Sequence, residues 1–133
     1  METKYPKLIA AGLVKRGDKL LLAKEVNSRG EEKWLVPGGK VEFGETLEDA
    51  VVREVQEEVG VQTKIIQFLG YKEAVFPEHG YHTIIFFYLL SPESGEIKTE
   101  DGVVMEAKYF TKDEALDLDL MDSARWLISE FKL

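Results

Sequence analysis

The chain has 133 residues, 44% of them hydrophobic and 32% charged, with a formal net charge of −8, which fits one globular domain with room for a core. With no cysteine, disulfides, thiolate metal sites and a cysteine nucleophile are excluded. An acidic chain repels polyphosphate backbones, which argues against a bulk nucleic-acid binder; a small phosphorylated ligand would need local cations or bound metal.

The start, METKYPKLIAAGLV, has no cationic stretch leading into a long apolar one, so no signal peptide is expected. The longest apolar run, residues 84–90, is too short to span a bilayer. A cytoplasmic location without membrane association is the expectation. Leu8–Val14 and Leu20–Val26 are β-compatible runs joined by the polar Lys15–Lys19 with its turn glycine, Gly17, which predicts a hairpin. Asn27–Lys33 reads as a polar loop, and Trp34-Leu35-Val36 as a short apolar piece stopped by Pro37-Gly38-Gly39, where the backbone must turn or be closely approached.

Thr46 to Val59 carries a helical pattern. Thr46 can cap its start, with Asp49 three residues on as an approximate capping box, and Gly60 suits the left-handed position past its end. Gln62–Tyr71 and Tyr81–Leu90 are β-like, separated by a loop with Pro77 and Gly80, and Val103–Phe110 suggests another strand. A short helix starts in Thr111–Glu114, and Asp122–Phe131 is amphipathic. No linker, repeat or low-complexity tract interrupts residues 1–133, so the chain is expected to form a single α/β (α+β) domain, a mixed sheet flanked by helices.

At about 100° per residue, Val51, Val52, Val55 and Val59 share one arc of the central helix, suited to packing on a sheet. Glu54, Glu57 and Glu58, at i, i+3 and i+4, share another. Like charges at that spacing repel by roughly 1–3 kcal/mol per pair at an effective dielectric near 20, at the helix end that disfavours anions. Arg53 cannot neutralise three carboxylates. Clustered hard oxygen donors suit Mg²⁺ or Mn²⁺, with substrate phosphates completing the coordination. Taken alone, though, three glutamates on a helix more often mean a solvated acidic face.

The flanking residues change that balance. Gly39, five residues, Glu45, seven residues, then Arg53-Glu54-Val55-Gln56-Glu57-Glu58-Val59-Gly60-Val61 matches the Nudix box (39–61) at every specified position. With average amino-acid usage, one window would match on the order of once in 10⁹. The chain therefore resembles the Nudix hydrolase family, MutT-like proteins that cleave a nucleoside diphosphate linked to another group. The resemblance implies an α/β/α sandwich and Mg²⁺ (or Mn²⁺) dependence. By position, Glu54, Glu57, Glu58 and the Gly38 carbonyl resemble the metal ligands, and Glu45 and Arg53 the pair that locks the loop onto the helix. Glu54 is a candidate general base. Glu45, Arg53, Glu54 and Glu57 form the expected catalytic set.

A further acidic ligand often comes from a loop after the long strand, where Glu100 and Asp101 stand; Glu100 is favoured, with Glu106 a later option that on a strand could simply pair with a cation. Lys24, Arg29 and Lys33 could meet a phosphate or ribose, although solubility explains each as well. Phe76, Tyr81 and His82 could stack on a base or belong to the core. His79 and His82 lack zinc spacing. Pro77, about sixteen residues past the box, is faintly reminiscent of ADP-ribose hydrolases of the family.

The expected partner is a small nucleotide substrate rather than a nucleic-acid polymer or membrane, and the resemblance allows a homodimer. An isomerase of the same fold would be expected to use a cysteine, which is absent. A catalytically silent nucleotide-binding module would be expected to have lost box glutamates, and all are present.

Overall fold

The computed structural model describes residues 4–27, 29–99 and 102–132. Seven strands form a mixed sheet: β1 (Lys7–Arg16), β2 (Lys19–Val26), β3 (Glu32–Leu35), β4 (Gly38–Lys40), β5 (Gln62–Phe76), β6 (Tyr81–Ser94) and β7 (Glu106–Thr111). Among the described residues three α-helices accompany them, α1 (Leu47–Val59), α2 (Lys112–Leu116) and α3 (Asp122–Glu130), with a 3-10 turn at Pro77–His79. Strand order is β3-β2-β1-β6-β5, with β4 added to β1 and β7 to β2. The central strand is shared. Residues Lys7 to Val14 of β1 run parallel to Thr83–Leu90 of β6, whereas its end turns through the hairpin to pair with β2 at Lys15 and Arg16.

Both faces of this sheet are covered, which explains why β1 and β2 read as continuous apolar runs rather than alternating ones. Successive residues point to opposite sides. Ala10 and Val14 of β1, with Leu21 and Ala23 of β2, pack against Val51, Val55 and Val59 of α1. Ala11 and Leu13, with Leu20 and Leu22, pack with Phe87 and Phe110 against Ala115 of α2 and Ala124, Leu127 and Ile128 of α3. The expected helix–sheet–helix sandwich is therefore present. Among the described residues no helix is long and apolar enough to cross a membrane.

Helix α1 begins and ends where its flanking residues predict. Thr46 is extended and its hydroxyl accepts from Asp49 N at 3.1 Å, while Gly60 adopts φ 78° and its N–H donates to Gln56 O. Its approach to β1 is close: a Cβ on Gly12 would meet Val55 at 3.0 Å and Val51 at 3.1 Å. That proximity brings the helix's polar face within reach of the neighbouring strand β4.

Several boundaries differ from the sequence-based expectation. Glu32 and Lys33 belong to β3 rather than to a loop, and Gly38–Lys40, expected as a turn, pairs with Ile9–Ala11 of β1. Strands β5 and β6 run past Tyr71 and Leu90 to Phe76 and Ser94. The added stretches hold charged or turn-prone residues, Lys72 and Glu73 in one and Ser91-Pro92-Glu93-Ser94 in the other, and are strand because they pair across the sheet, Lys72 with Ile85 and Thr63 with Pro92. The strand expected from Val103 starts at Glu106.

Candidate active site

The site grows from the polar face of α1 and the loop that leads into it. Arg53 is its hub. Its Nε donates to Glu45 Oε2 at 2.6 Å and its Nη2 to Glu45 Oε1 at 3.0 Å, a bidentate pairing that fixes distance and plane together. Nη2 also donates to the Lys40 carbonyl at 3.1 Å, so one guanidinium ties helix, loop and strand β4. The loop closes on itself: Glu42 N donates to Glu45 Oε1 at 3.0 Å, and Glu45 N to Glu42 O at 3.0 Å. Arg53 beside it, reinforced by the Glu42 N–H, holds the Glu45 carboxyl down at about 2. The carboxylates in turn push the Arg53 guanidinium further up.

Two of the three helix glutamates meet the same arginine. Nη1 donates to Glu54 Oε1 at 2.9 Å and to Glu57 Oε2 at 3.1 Å. Glu58 turns the other way, and its Oε2 accepts from Gly38 N at 3.2 Å. Burial grades the three: the Glu57 side chain is 54% exposed, that of Glu54 15%, and Glu58 as a residue 9%. Burial also raises the Glu54 carboxyl above its ordinary range, with Arg53 opposing that shift.

Glycine makes this packing possible. A Cβ on Gly39 would collide with the Glu54 carboxylate, and one on Gly38 with the Ala10 carbonyl and Ala11. The consecutive glycines are thus the close-approach point that the sequence suggested, with a carboxylate as the approaching group.

Three carboxylates and a nearby backbone carbonyl are hard oxygen donors, and that chemistry fits a divalent cation of the Mg²⁺ class. In the structure Glu54 and Glu57 accept from Arg53, and Glu58 accepts from Gly38 N. Among the described residues, no three Asp, Glu, His or Cys side chains converge as a coordination shell. Glu100 and Asp101 lie outside the described residues.

The other candidates are spread more widely. Lys24 Nζ lies 3.4 Å from both Glu32 and Glu106 and 5.6 Å from the Trp34 ring centre, so Glu106 pairs with a cation on the neighbouring strand β2. Lys33 Nζ bonds Asp119 at 2.7 Å. Arg29 sits in a tight turn, its backbone N–H donating to Asn27 Oδ1. Phe76 and Tyr81 face each other at the end of the β5–β6 pair, ring centres 6.3 Å apart. In register terms Tyr81 lies beyond Lys7, roughly 17 Å along the strands from the level of Ala10, Gly39 and Glu54. Phe76 and Tyr81 thus lie apart from the glutamates, while Lys24 and Lys33 are paired with Glu32, Glu106 and Asp119. Sequence reasoning missed the Lys40 carbonyl and the Glu42 N–H, backbone groups that leave no mark on a sequence.

A helix-borne carboxylate face, locked by a Glu–Arg pair to a glycine-rich strand on a helix–sheet–helix sandwich, defines the scaffold class. The model for the NUDIX domain matches residues 6–131, and the chain belongs to that family. It is 35% identical over 106 residues to an ADP-ribose pyrophosphatase of Methanocaldococcus jannaschii, covering 80% of this chain and 62% of that one. It is also 35% identical over 133 residues to the NAD-capped RNA hydrolase NudC of Pseudomonas aeruginosa, covering 93% of this chain and 44% of the relative. The chain thus spans less than two thirds of the length of these relatives. Among solved structures, a MutT NUDIX hydrolase from Burkholderia pseudomallei superposes with a TM-score of 0.87 at 26% identity, covering 97% of this chain and all of that one.

Proposed function

We propose that this chain is a pyrophosphohydrolase that cleaves a nucleoside diphosphate joined to another group, with water attacking phosphorus and Mg²⁺ (or Mn²⁺) as the cation. The observation that carries the reading is the bidentate Arg53–Glu45 lock, because the same guanidinium also holds Glu54 and Glu57. A solvated acidic stripe has no need of such a hub.

Glu54, Glu57, Glu58 and the Gly38 carbonyl would hold the cation, which when bound neutralises phosphate charge and acidifies a water. Arg53 Nη1, which now bonds Glu54 and Glu57, would have to share or release them to such a cation. Glu54 would serve as proton acceptor where Glu57, Glu58 and the Gly38 carbonyl hold the cation without it, since its burial favours the protonated form. Glu45 and Arg53 do positioning work: they hold the loop and leave the helix carboxylates in register with strand β4. Phosphoryl chemistry asks for positioning and charge balance more than for a covalent nucleophile, and no cysteine is available here.

The names of the relatives favour substrates that contain an ADP-ribose or NAD unit. The test is a panel of nucleoside triphosphates, ADP-ribose, NAD and sugar nucleotides assayed with Mg²⁺ and Mn²⁺, with products identified. Glu57→Gln is expected to abolish metal-dependent turnover with the fold intact by circular dichroism; near wild-type turnover in that variant would overturn the assignment.

A further inference from the structure

We propose that the groove at the carboxyl end of α1 receives the phosphate-bearing part of the substrate and that the Lys98 ammonium positions it there. This inference rests on the pyrophosphohydrolase reading and adds to it a subsite and a residue. The groove encloses about 390 Å³ and is lined by Gln56, Glu57, Gly60, Gly95, Glu96 and Lys98, a size within the range of small-molecule sites. Because Glu57 forms part of its wall, it is continuous with the carboxylate face.

Its shape depends on two glycines. Gly60 and Gly95 both have positive φ, 78° and 89°. A Cβ on Gly95 would stand 2.5 Å from the Gly60 carbonyl oxygen, and one on Gly60 would stand 3.0 Å from Glu96 O and 3.1 Å from Lys98 N. The segment is thereby laid flat on the helix end, where Lys98 N donates to Val59 O at 2.8 Å. The backbone of Lys98 is fixed two residues beyond Glu57, at the last turn of the helix.

Electrostatics single out the side chain. Lys98 is the only cation among the six lining residues, and no salt bridge among the described residues uses it. The last turn of α1 carries no basic residue of its own, and the helix dipole there is negative. A polyanionic substrate approaching an acidic protein at this end would meet repulsion from Glu57 and Glu96. An exposed, uncommitted ammonium beside them counters it and offers a charge-assisted hydrogen bond. A purely structural role, offsetting the dipole, would change stability and leave substrate affinity alone.

The experiment separates these roles with Lys98→Met and Lys98→Arg in the full chain. Steady-state kinetics with ADP-ribose and Mg²⁺ are paired with calorimetric titration of ADP in EDTA, and with thermal unfolding. Lys98→Met is expected to raise KM about tenfold or more, with kcat within about twofold of wild type, and to weaken ADP binding in proportion. Lys98→Arg is expected to restore both. Unchanged KM and ADP affinity in Lys98→Met, with or without a lower Tm, would overturn the proposal, as would an equal deficit in Lys98→Arg. Should the wild type turn over no nucleoside diphosphate derivative, the hydrolase reading fails, while the ADP titration still decides the role of Lys98.

Discussion

The two faces of the central sheet bury comparable cores by different means. Towards α1, β1 offers Ala10, Gly12 and Val14, and the helix answers with valines that rest on Gly12. Towards α3, the sheet offers Leu13, Leu20, Leu22, Phe87 and Phe110, and the helix answers with Ala124, Leu127 and Ile128. Small residues bring α1 backbone close to strand backbone, so that its polar face meets strand β4, with Glu54 against Gly39 and Glu58 on Gly38 N. On the α3 side β1 presents Ala11 and Leu13 rather than a glycine, with Phe87 and Phe110 beside them. The candidate carboxylate site lies on the face where the helix approaches closely; the other face is packing.

The sharpest way to test that contrast is to cut the hub. Arg53→Met leaves Glu45, Glu54 and Glu57 without their shared donor, and misplacement of this order costs about 10²-fold in turnover. The same pair predicts a pH signature. Because Arg53 and the Glu42 N–H depress Glu45 to about 2, the pair's contribution to stability is complete above the ordinary carboxylate pKa near 4.5 and is lost as pH falls towards 2. Thermal unfolding of wild type and Glu45→Gln should therefore diverge above pH 4.5 and converge in acid. A constant gap across that window would deny the pair its role.

The opposite face supplies the converse test. Ile128 is fully buried in the α3 core, and Ile128→Ala is expected to cost about 2–5 kcal/mol in urea unfolding. Turnover per folded molecule should stay within about twofold of wild type, since removing core volume there leaves every bond of Arg53 in place. A selective loss of kcat at temperatures where the variant is fully folded would show that the faces are coupled.

Legibility in the sequence follows the same division. The α1 face was legible because its determinants lie within one local stretch: Thr46 and Gly60 bound the helix, and Gly39, Glu45 and Arg53 sit at fixed spacings around the glutamates. What escaped was non-local or carried by the backbone. Strand β4 has no branched side chain to announce it and exists through its pairing with Ile9–Ala11. The commitments of Lys24 to Glu106 and Lys33 to Asp119 join positions more than eighty residues apart, so these lysines read in sequence as free surface charge. The late ends of β5 and β6 carry Lys72-Glu73 and Ser91-Pro92-Glu93, residues that read locally as loop and are strand only through their pairing. Arg53 was read as too small a charge for three carboxylates; the structure has it serve Glu54 and Glu57 while Glu58 finds a backbone N–H.

The smallest expected effect compares two threonine caps on opposite faces. Thr46 accepts from Asp49 N at 3.1 Å at the start of α1. Thr111 forms a full capping box at the start of α2, accepting from Glu114 N at 3.2 Å while Glu114 Oε1 accepts from Thr111 N at 2.8 Å. Either threonine changed to alanine removes one hydrogen bond and should cost about 1 kcal/mol. The functional consequences should differ. Thr46 stands next to Glu45, so fraying the first turn of α1 loosens the loop that Arg53 grips, and kcat/KM should fall along with stability. Thr111 caps a helix that touches none of these groups, so Thr111→Ala should lose stability and keep its kcat/KM. Equal kinetic losses in the two variants would mean that positional precision at the glutamates depends on overall stability, not on the close approach of one helix to one strand.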